Sequence, residues 1–159
     1  MFRTFEKDDP FNWNNLRNHK NTAKNAYNCG GYALGTFSWY CPNREEDDDF
    51  FGYDFGFLDE KDAYRKTMYA VAIMAQDFIE RGFRIISATN ELEKDEYAVA
   101  FRLSSDGDFH YVRRMNNGIW YHKRGASPKI HKMRKTDVFC GTWCGRYDGP
   151  LVLIAIKNP

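Results

Sequence analysis

The chain has 159 residues, a formal net charge of +1 and an aromatic content of 17%. That length fits a single domain over 1–159 with an aromatic core, and the near-neutral charge argues against a dedicated nucleic-acid partner. No run reaches the roughly 18 apolar residues of a membrane-spanning helix, and Met1 to Asn18 has no apolar signal stretch, so the protein is expected to be cytoplasmic as synthesised, with no membrane partner.

Residues 1–20 read as an irregular, Asn-rich lead-in. A helix is expected from Cys29 to about Trp39, preceded by the turn-forming Asn28 and ended by Pro42. Gly30, Gly31 and Gly35 each weaken it by roughly 1 kcal/mol relative to Ala, which suits a helix lying close against another backbone. Arg44 to Asp49 is a charge run and Phe50 to Phe57 an aromatic one. The plainer reading is a solvated loop followed by a hydrophobic anchor. The sharper one is a substrate-binding lid that turns Tyr53 and Phe55 toward a ligand.

The clearest helix is Glu60 to Arg81, where Tyr64, Met68, Val71, Ala75, Phe78 and Ile79 recur on one face. Asp59 can cap its start and Gly82 its end. The period then changes to two. Strands are predicted near Arg84–Ser87, Glu96–Leu103, Phe109–Arg114, Ile119–Lys123 and Leu151–Lys157. Ser105-Asp106-Gly107 and Asn116-Asn117-Gly118 supply the turns. Helices followed by an antiparallel sheet predict the α+β class.

Four cysteines occur, at 29, 41, 140 and 144. Without a leader a disulfide framework is not expected. Cys140 and Cys144 have a spacing that metal ligands use, but no second local Cys/His pair accompanies them. Neither a metal nor any other cofactor is therefore expected, and Cys41, Cys140 and Cys144 read as small packing residues. Cys29 is different. At a helix N-terminus, unpaired N–H groups and the positive dipole end both favour a thiolate.

His110 and His122 are the natural partners for such a thiol. Alternation places His110 with Val112 on one strand face, and His122 with Trp120 on the next strand. A hairpin loop of odd length centred on Asn116 sets the two histidines opposite each other on one side of the sheet; a one-residue slip separates them. With the faces aligned, Cys29 is the nucleophile, His110 the base that takes its proton, and His122 the residue that orients His110. N–H groups at the helix start then stabilise the oxyanion. His19 and His131 lie in polar surroundings and read as surface residues.

The spacing from His110 to His122 resembles that between the His and the third polar residue of NlpC/P60 peptidases, a branch of the papain-like superfamily. Asn28-Cys29-Gly30-Gly31-Tyr32 stands where that family has its Cys motif. The chain also resembles a group of phage and bacterial papain-like proteins. Their marks are matched by Asn28 to Leu34, Asp108 to Tyr111, and Asn117 to Gly125. The resemblance implies a papain-like α+β fold with N-terminal helices packed on an antiparallel sheet. It also implies a Cys29–His110–His122 triad. No Gln precedes Cys29 by a turn, so oxyanion support falls to the backbone or to Asn25, Tyr27 and Asn28. Arg124 stands where the phage-like group has Pro.

Two functions follow as expectations. One is a cysteine hydrolase cleaving an amide bond, in a peptidoglycan stem peptide or a protein or isopeptide substrate; deamidation and transglutamination use the same triad. The phage-like resemblance would place it in a host cell or at its wall. The other is an inhibitor or binding protein on the same scaffold, with a host protein as partner and little or no catalysis.

Overall fold

A computed structural model of the chain describes residues 28–35, 68, 71–72, 74–104, 108–115, 118–125, 127 and 130–157. Its centre is a six-stranded sheet of β1 (Arg84–Ile86), β2 (Glu96–Leu103), β3 (Phe109–Arg114), β4 (Trp120–Lys123), β5 (Ile130–Met133) and β6 (Val152–Lys157). The strand order is β1-β6-β2-β3-β4-β5, with every neighbouring pair antiparallel. Three helical pieces accompany it: α1 (Cys29–Leu34), α2 (74–80, with residues 68, 71 and 72 also helical) and α3 (Lys135–Val138).

Both faces of the sheet are covered, which is why all eight residues of β2 are buried. On one face Tyr97, Val99, Phe101 and Tyr111 pack with Cys29 and Ala33 of α1 and with Val71, Met74 and Phe78. The Phe78 ring meets Phe101 edge-on at 5.6 Å. Full burial of such a ring stabilises by about 1.5–3 kcal/mol. On the other face Ala98, Ala100, Val112, Trp120 and Leu153 pack with Val138 of α3 and Trp143. The small alanines at 98 and 100 leave room there for the two indoles.

This architecture corrects the expected papain-like (NlpC/P60-like) α+β fold. The described chain is mainly a six-stranded antiparallel sheet with a few short helices, not a set of N-terminal helices packed on a sheet. The helix starting at Cys29 stops after six residues because Gly35 turns left-handed, at φ 72°, and its N–H bonds back to the carbonyls of Gly31 and Tyr32. A left-handed glycine is a standard helix terminator. Its first residue is as expected, with Asn28 at the N-cap accepting the Gly31 N–H.

Among the described residues of α2 the buried stripe is Val71, Met74 and Phe78, while Met68 and Ile79 are 39% and 53% exposed. The buried stripe is thus narrower than the sequence pattern and includes Met74, one turn from both Val71 and Phe78. Gly82 ends the helix as expected, at φ 80°. The five predicted strands form close to their predicted bounds. The edge strand β5 and helix α3 were missed. β5 is half-buried and polar, with Lys132 exposed, so it lacks the apolar alternation that marks a strand. Among the described residues no helix is long and apolar enough to cross a membrane. Asn25, Tyr27, Cys41, the 44–49 charge run and the proposed lid with Tyr53 and Phe55 lie outside the described residues.

Candidate functional site

The β3–β4 hairpin positions the two histidines. Arg113 pairs with Tyr121 and Arg114 with Trp120, so the hairpin is centred on residue 117, not 116. Gly118 provides the turn at φ 80°, and its N–H bonds to the Met115 carbonyl. The register is two residues away from the expected one, and an even shift keeps the faces aligned. His110 and His122 therefore share a face and meet diagonally. His110 Nε2 lies 2.7 Å from His122 Nδ1. Each ring is 3% exposed.

Aromatic neighbours fix the pair. Tyr147 stacks on His110 at 5.0 Å and 21°, Trp143 meets it edge-on at 6.2 Å, and His131 tilts against His122 at 5.6 Å. The Tyr147 hydroxyl donates to Asp108 Oδ2 at 2.9 Å, and Arg146 Nη1 reaches the same oxygen at 2.9 Å. Burial depresses both imidazoles. His110 is pushed down to about 3, with His122 and Arg124 adding to the burial effect. His122 is pushed down to about 4, with Arg124 and His131 adding to it. Both rings are thus neutral at pH 7, and a ring nitrogen lone pair is available to accept a proton or a metal.

The third group is Cys144. One nitrogen of each histidine and the Cys144 sulfur all lie within 4.8 Å of one another. Cys144 is exposed, and no hydrogen bond engages its thiol. It sits at the tip of a small turn in which Trp143 and Tyr147 pair across and the Arg146 N–H bonds to the Trp143 carbonyl. Cys144 and Gly145 have φ 54° and 67°. Successive positive φ values mark a type I′ turn, in which Asn-Gly is the favoured pair. Cys144 is the one non-glycine residue with positive φ among the described residues, a conformation that costs roughly 1 kcal/mol. Such backbone strain clusters at functional sites.

The turn is anchored from below. The buried Arg102 guanidinium donates to the carbonyls of Cys140, Gly141 and Gly149, the last two at 2.8 Å. It also lies 5.2 Å from the Trp143 ring, whose Nε1 donates to the Val138 carbonyl at 2.9 Å. The backbone N–H groups of Cys144 and Gly145 have no protein partner among the described residues. Both N–H groups belong to the turn that carries the thiol.

Cys29 stands apart from this cluster. It is 4% exposed and packs with the helix-covered face of the sheet, whereas His110 packs on Trp143 and Tyr147. Its sulfur donates to the Phe109 carbonyl at 3.9 Å, and neither histidine hydrogen-bonds to it. The expected contact between Cys29 and His110 is therefore absent. Burial pushes the thiol up to about 12, with the Asp108 charge in the same direction; the N–H groups of Tyr111 and Gly30 and the charge of Lys123 oppose this without cancelling it. Lys123, itself buried, donates to the Gly125 carbonyl at 2.5 Å and is pulled down to about 8 by burial. Asn28 caps the helix and supports Cys29 only in that sense.

Sequence reasoning found the histidine pair and missed Cys144, which it read as a packing residue. The available signal was Trp143-Cys144-Gly145, a cysteine where a hairpin turn would take Asn. Cys140, four residues before Cys144, donates instead to the carbonyls of Asp137 and Thr142 and does not join the cluster.

On the same face, a cavity of about 280 Å³ is lined by Leu92, Trp120, Phe139 and Leu153 among others, with Arg114 and Lys135 as its cations. Trp120 and His122 are two residues apart on β4, so the cavity begins about 7 Å along the strand from the histidine pair.

A family model described as a domain of unknown function (DUF7689) matches residues 18–147. No curated protein and no solved structure matches the chain.

Proposed function

The chain belongs to the DUF7689 family, from which no activity carries over, and we propose from its own residues that it is a cysteine hydrolase acting on an amide bond, with Cys144 as nucleophile. The observation that carries this reading is the convergence of the Cys144 sulfur with the His110–His122 pair within 4.8 Å. The pair takes the thiol proton as the sulfur attacks the carbonyl carbon. A neutral imidazole buried this deeply is a weak base alone, but a thiolate forming beside it raises its affinity for the proton. The 2.7 Å link between the rings already holds one hydrogen, so the added proton sits on another ring nitrogen and the link spreads its charge over both imidazoles. The S–C bond forms, the C–N bond breaks, and the proton passes to the leaving amine. Water then hydrolyses the thioester. The N–H groups of Cys144 and Gly145, which no protein group engages among the described residues, are the donors this reading assigns to the developing oxyanion.

The adjoining cavity suits an apolar side chain on Trp120, Phe139 and Leu92, with an anionic group toward Arg114 and Lys135. A peptide carrying a carboxylate has both. Protein, isopeptide and peptidoglycan stem-peptide substrates all contain such groups.

A peptidyl fluoromethyl ketone with an apolar side chain tests the reading, because it alkylates only a thiol paired with a general acid. Peptide mapping should place the adduct on Cys144 and lose it in His110→Gln. An adduct on Cys29, or equal adducts on Cys140 and Cys144, would overturn the assignment.

A further inference from the structure

The same three side chains also form a donor set for a metal ion. We propose that His110, His122 and Cys144 bind one thiophilic divalent cation of the Zn²⁺ type, and that its binding switches the thiol off. The inference shares its residues with the hydrolase reading and rests on that reading only for the consequence. The donor set itself stands on geometry: two imidazole nitrogens and one sulfur within 4.8 Å of one another, two of the three side chains buried, and the third held toward them by a left-handed turn.

Two imidazoles and a thiolate suit Zn²⁺, which takes three protein ligands and leaves its fourth tetrahedral position to water or another ligand. The exposed side of Cys144 leaves solvent access for that position. At Zn–N distances near 2.0–2.1 Å, tetrahedral geometry separates two ligating nitrogens by about 3.3 Å. The facing ring nitrogens now stand 2.7 Å apart, so metal entry through them must widen that gap by about 0.6 Å. The hydrogen between the two nitrogens has to leave as well, and it moves to the far nitrogen of the same ring, so both imidazoles stay neutral. The cysteine thiol releases its proton to solvent as the metal–sulfur bond forms. One proton is thus released per metal bound.

The surrounding contacts are those of an outer shell that orients ligands. Tyr147 stacks on His110 and is itself tied to Asp108. Arg102 holds the segment that carries Cys144 by three carbonyls. Cys140 is spoken for by two carbonyl contacts and is the internal control. With the metal in place the sulfur lone pair and both histidines are engaged, so neither nucleophile nor base is available.

The experiment is a titration of the full, metal-free chain with Co²⁺, which reports tetrahedral thiolate ligation through ligand-field bands and a sulfur-to-metal charge-transfer band. One equivalent should saturate both signals, and Zn²⁺ should displace them. Cys144→Ser should abolish the charge-transfer band and weaken binding at least roughly tenfold, while Cys140→Ser should leave both unchanged. Cys144 is exposed, so its variant is not expected to disturb the fold, and circular dichroism checks this. A charge-transfer band that survives Cys144→Ser, or no bands at all with the unaltered chain, would overturn the metal site. In parallel, iodoacetamide mapping with and without Zn²⁺ separates the two readings. Absent cobalt bands with Cys144 still the fastest thiol would overturn the metal and leave the hydrolase standing. Cobalt binding with no fast thiol in the metal-free chain would support the metal and overturn the hydrolase.

Discussion

His110 Nε2 and His122 Nδ1 lie 2.7 Å apart although the residues are diagonal, not opposite, across the β3–β4 hairpin. The contact is made away from water, and that sets its chemistry: both rings are neutral, with Trp143 and Tyr147 against His110.

This burial predicts a pH dependence of stability. Each folded-state pKa is depressed, to about 3 and about 4, below the ordinary 6.5. Below pH 6.5 the unfolded chain binds more protons than the folded one, so stability is greatest above 6.5 and is lost as pH falls toward 4 and then 3. Melting temperature measured from pH 7 to pH 4 should fall steadily, and His122→Gln should flatten that fall. Glu96, held low mainly by its hydrogen bonds with Arg84, adds a loss that starts only below about 4.5. A melting temperature independent of pH between 7 and 5 would contradict the buried neutral pair.

A second prediction concerns the turn. Cys144→Asn places the favoured Asn-Gly pair in a left-handed turn and should stabilise the protein by about 0.5–1 kcal/mol while removing the thiol. Chemical denaturation measures this. A loss of stability would mean that the sulfur contributes packing that the φ of 54° does not suggest.

A third concerns Arg102. Its guanidinium is the shared donor for three carbonyls of the segment that carries Cys144. Arg102→Met keeps the apolar stem and leaves those carbonyls without their donor, so it should destabilise by about 3 kcal/mol. It should also slow Cys144 alkylation, because the turn loses its anchor. An unchanged alkylation rate in a destabilised protein would separate the anchor from the site.

A fourth concerns Cys29. If it is a packing residue bonded to the Phe109 carbonyl, Cys29→Ala should cost about 1–2 kcal/mol from the small cavity and lost contact, and leave Cys144 reactivity unchanged. Loss of all thiol reactivity in a folded Cys29→Ala protein would restore Cys29 as the nucleophile.

Local signals in the sequence were enough for much of the sheet and for the histidine pair. Cys29 as helix start, Gly82 as helix end and five strands were legible from the turn-forming Asn28, glycine and alternation. The histidine pair was legible because parity alone decides which face a strand residue takes, and the two-residue error in register preserved parity. Cys144 was not legible, because its approach to His110 depends on how a turn 34 residues downstream folds back over the sheet. That placement comes from Arg102 and Trp143, through contacts with carbonyls that carry no sequence signature. Cys29 shows the converse. Its helix start is as expected, but a helix N-terminus activates a thiol only where burial does not outweigh it, and here burial does.

The most direct test of the account is the relative alkylation rate of each cysteine by iodoacetamide at neutral pH, read by peptide mapping in the metal-free chain. Cys140 is the matched reference, exposed like Cys144 and four residues away but without the histidines. With Cys144 activated by the histidine pair, Cys144 reacts at least about tenfold faster than Cys140, Cys29 reacts slowest of the three, and His122→Gln removes the difference between Cys144 and Cys140. Equal rates at Cys140 and Cys144, or Cys29 reacting first, would contradict it.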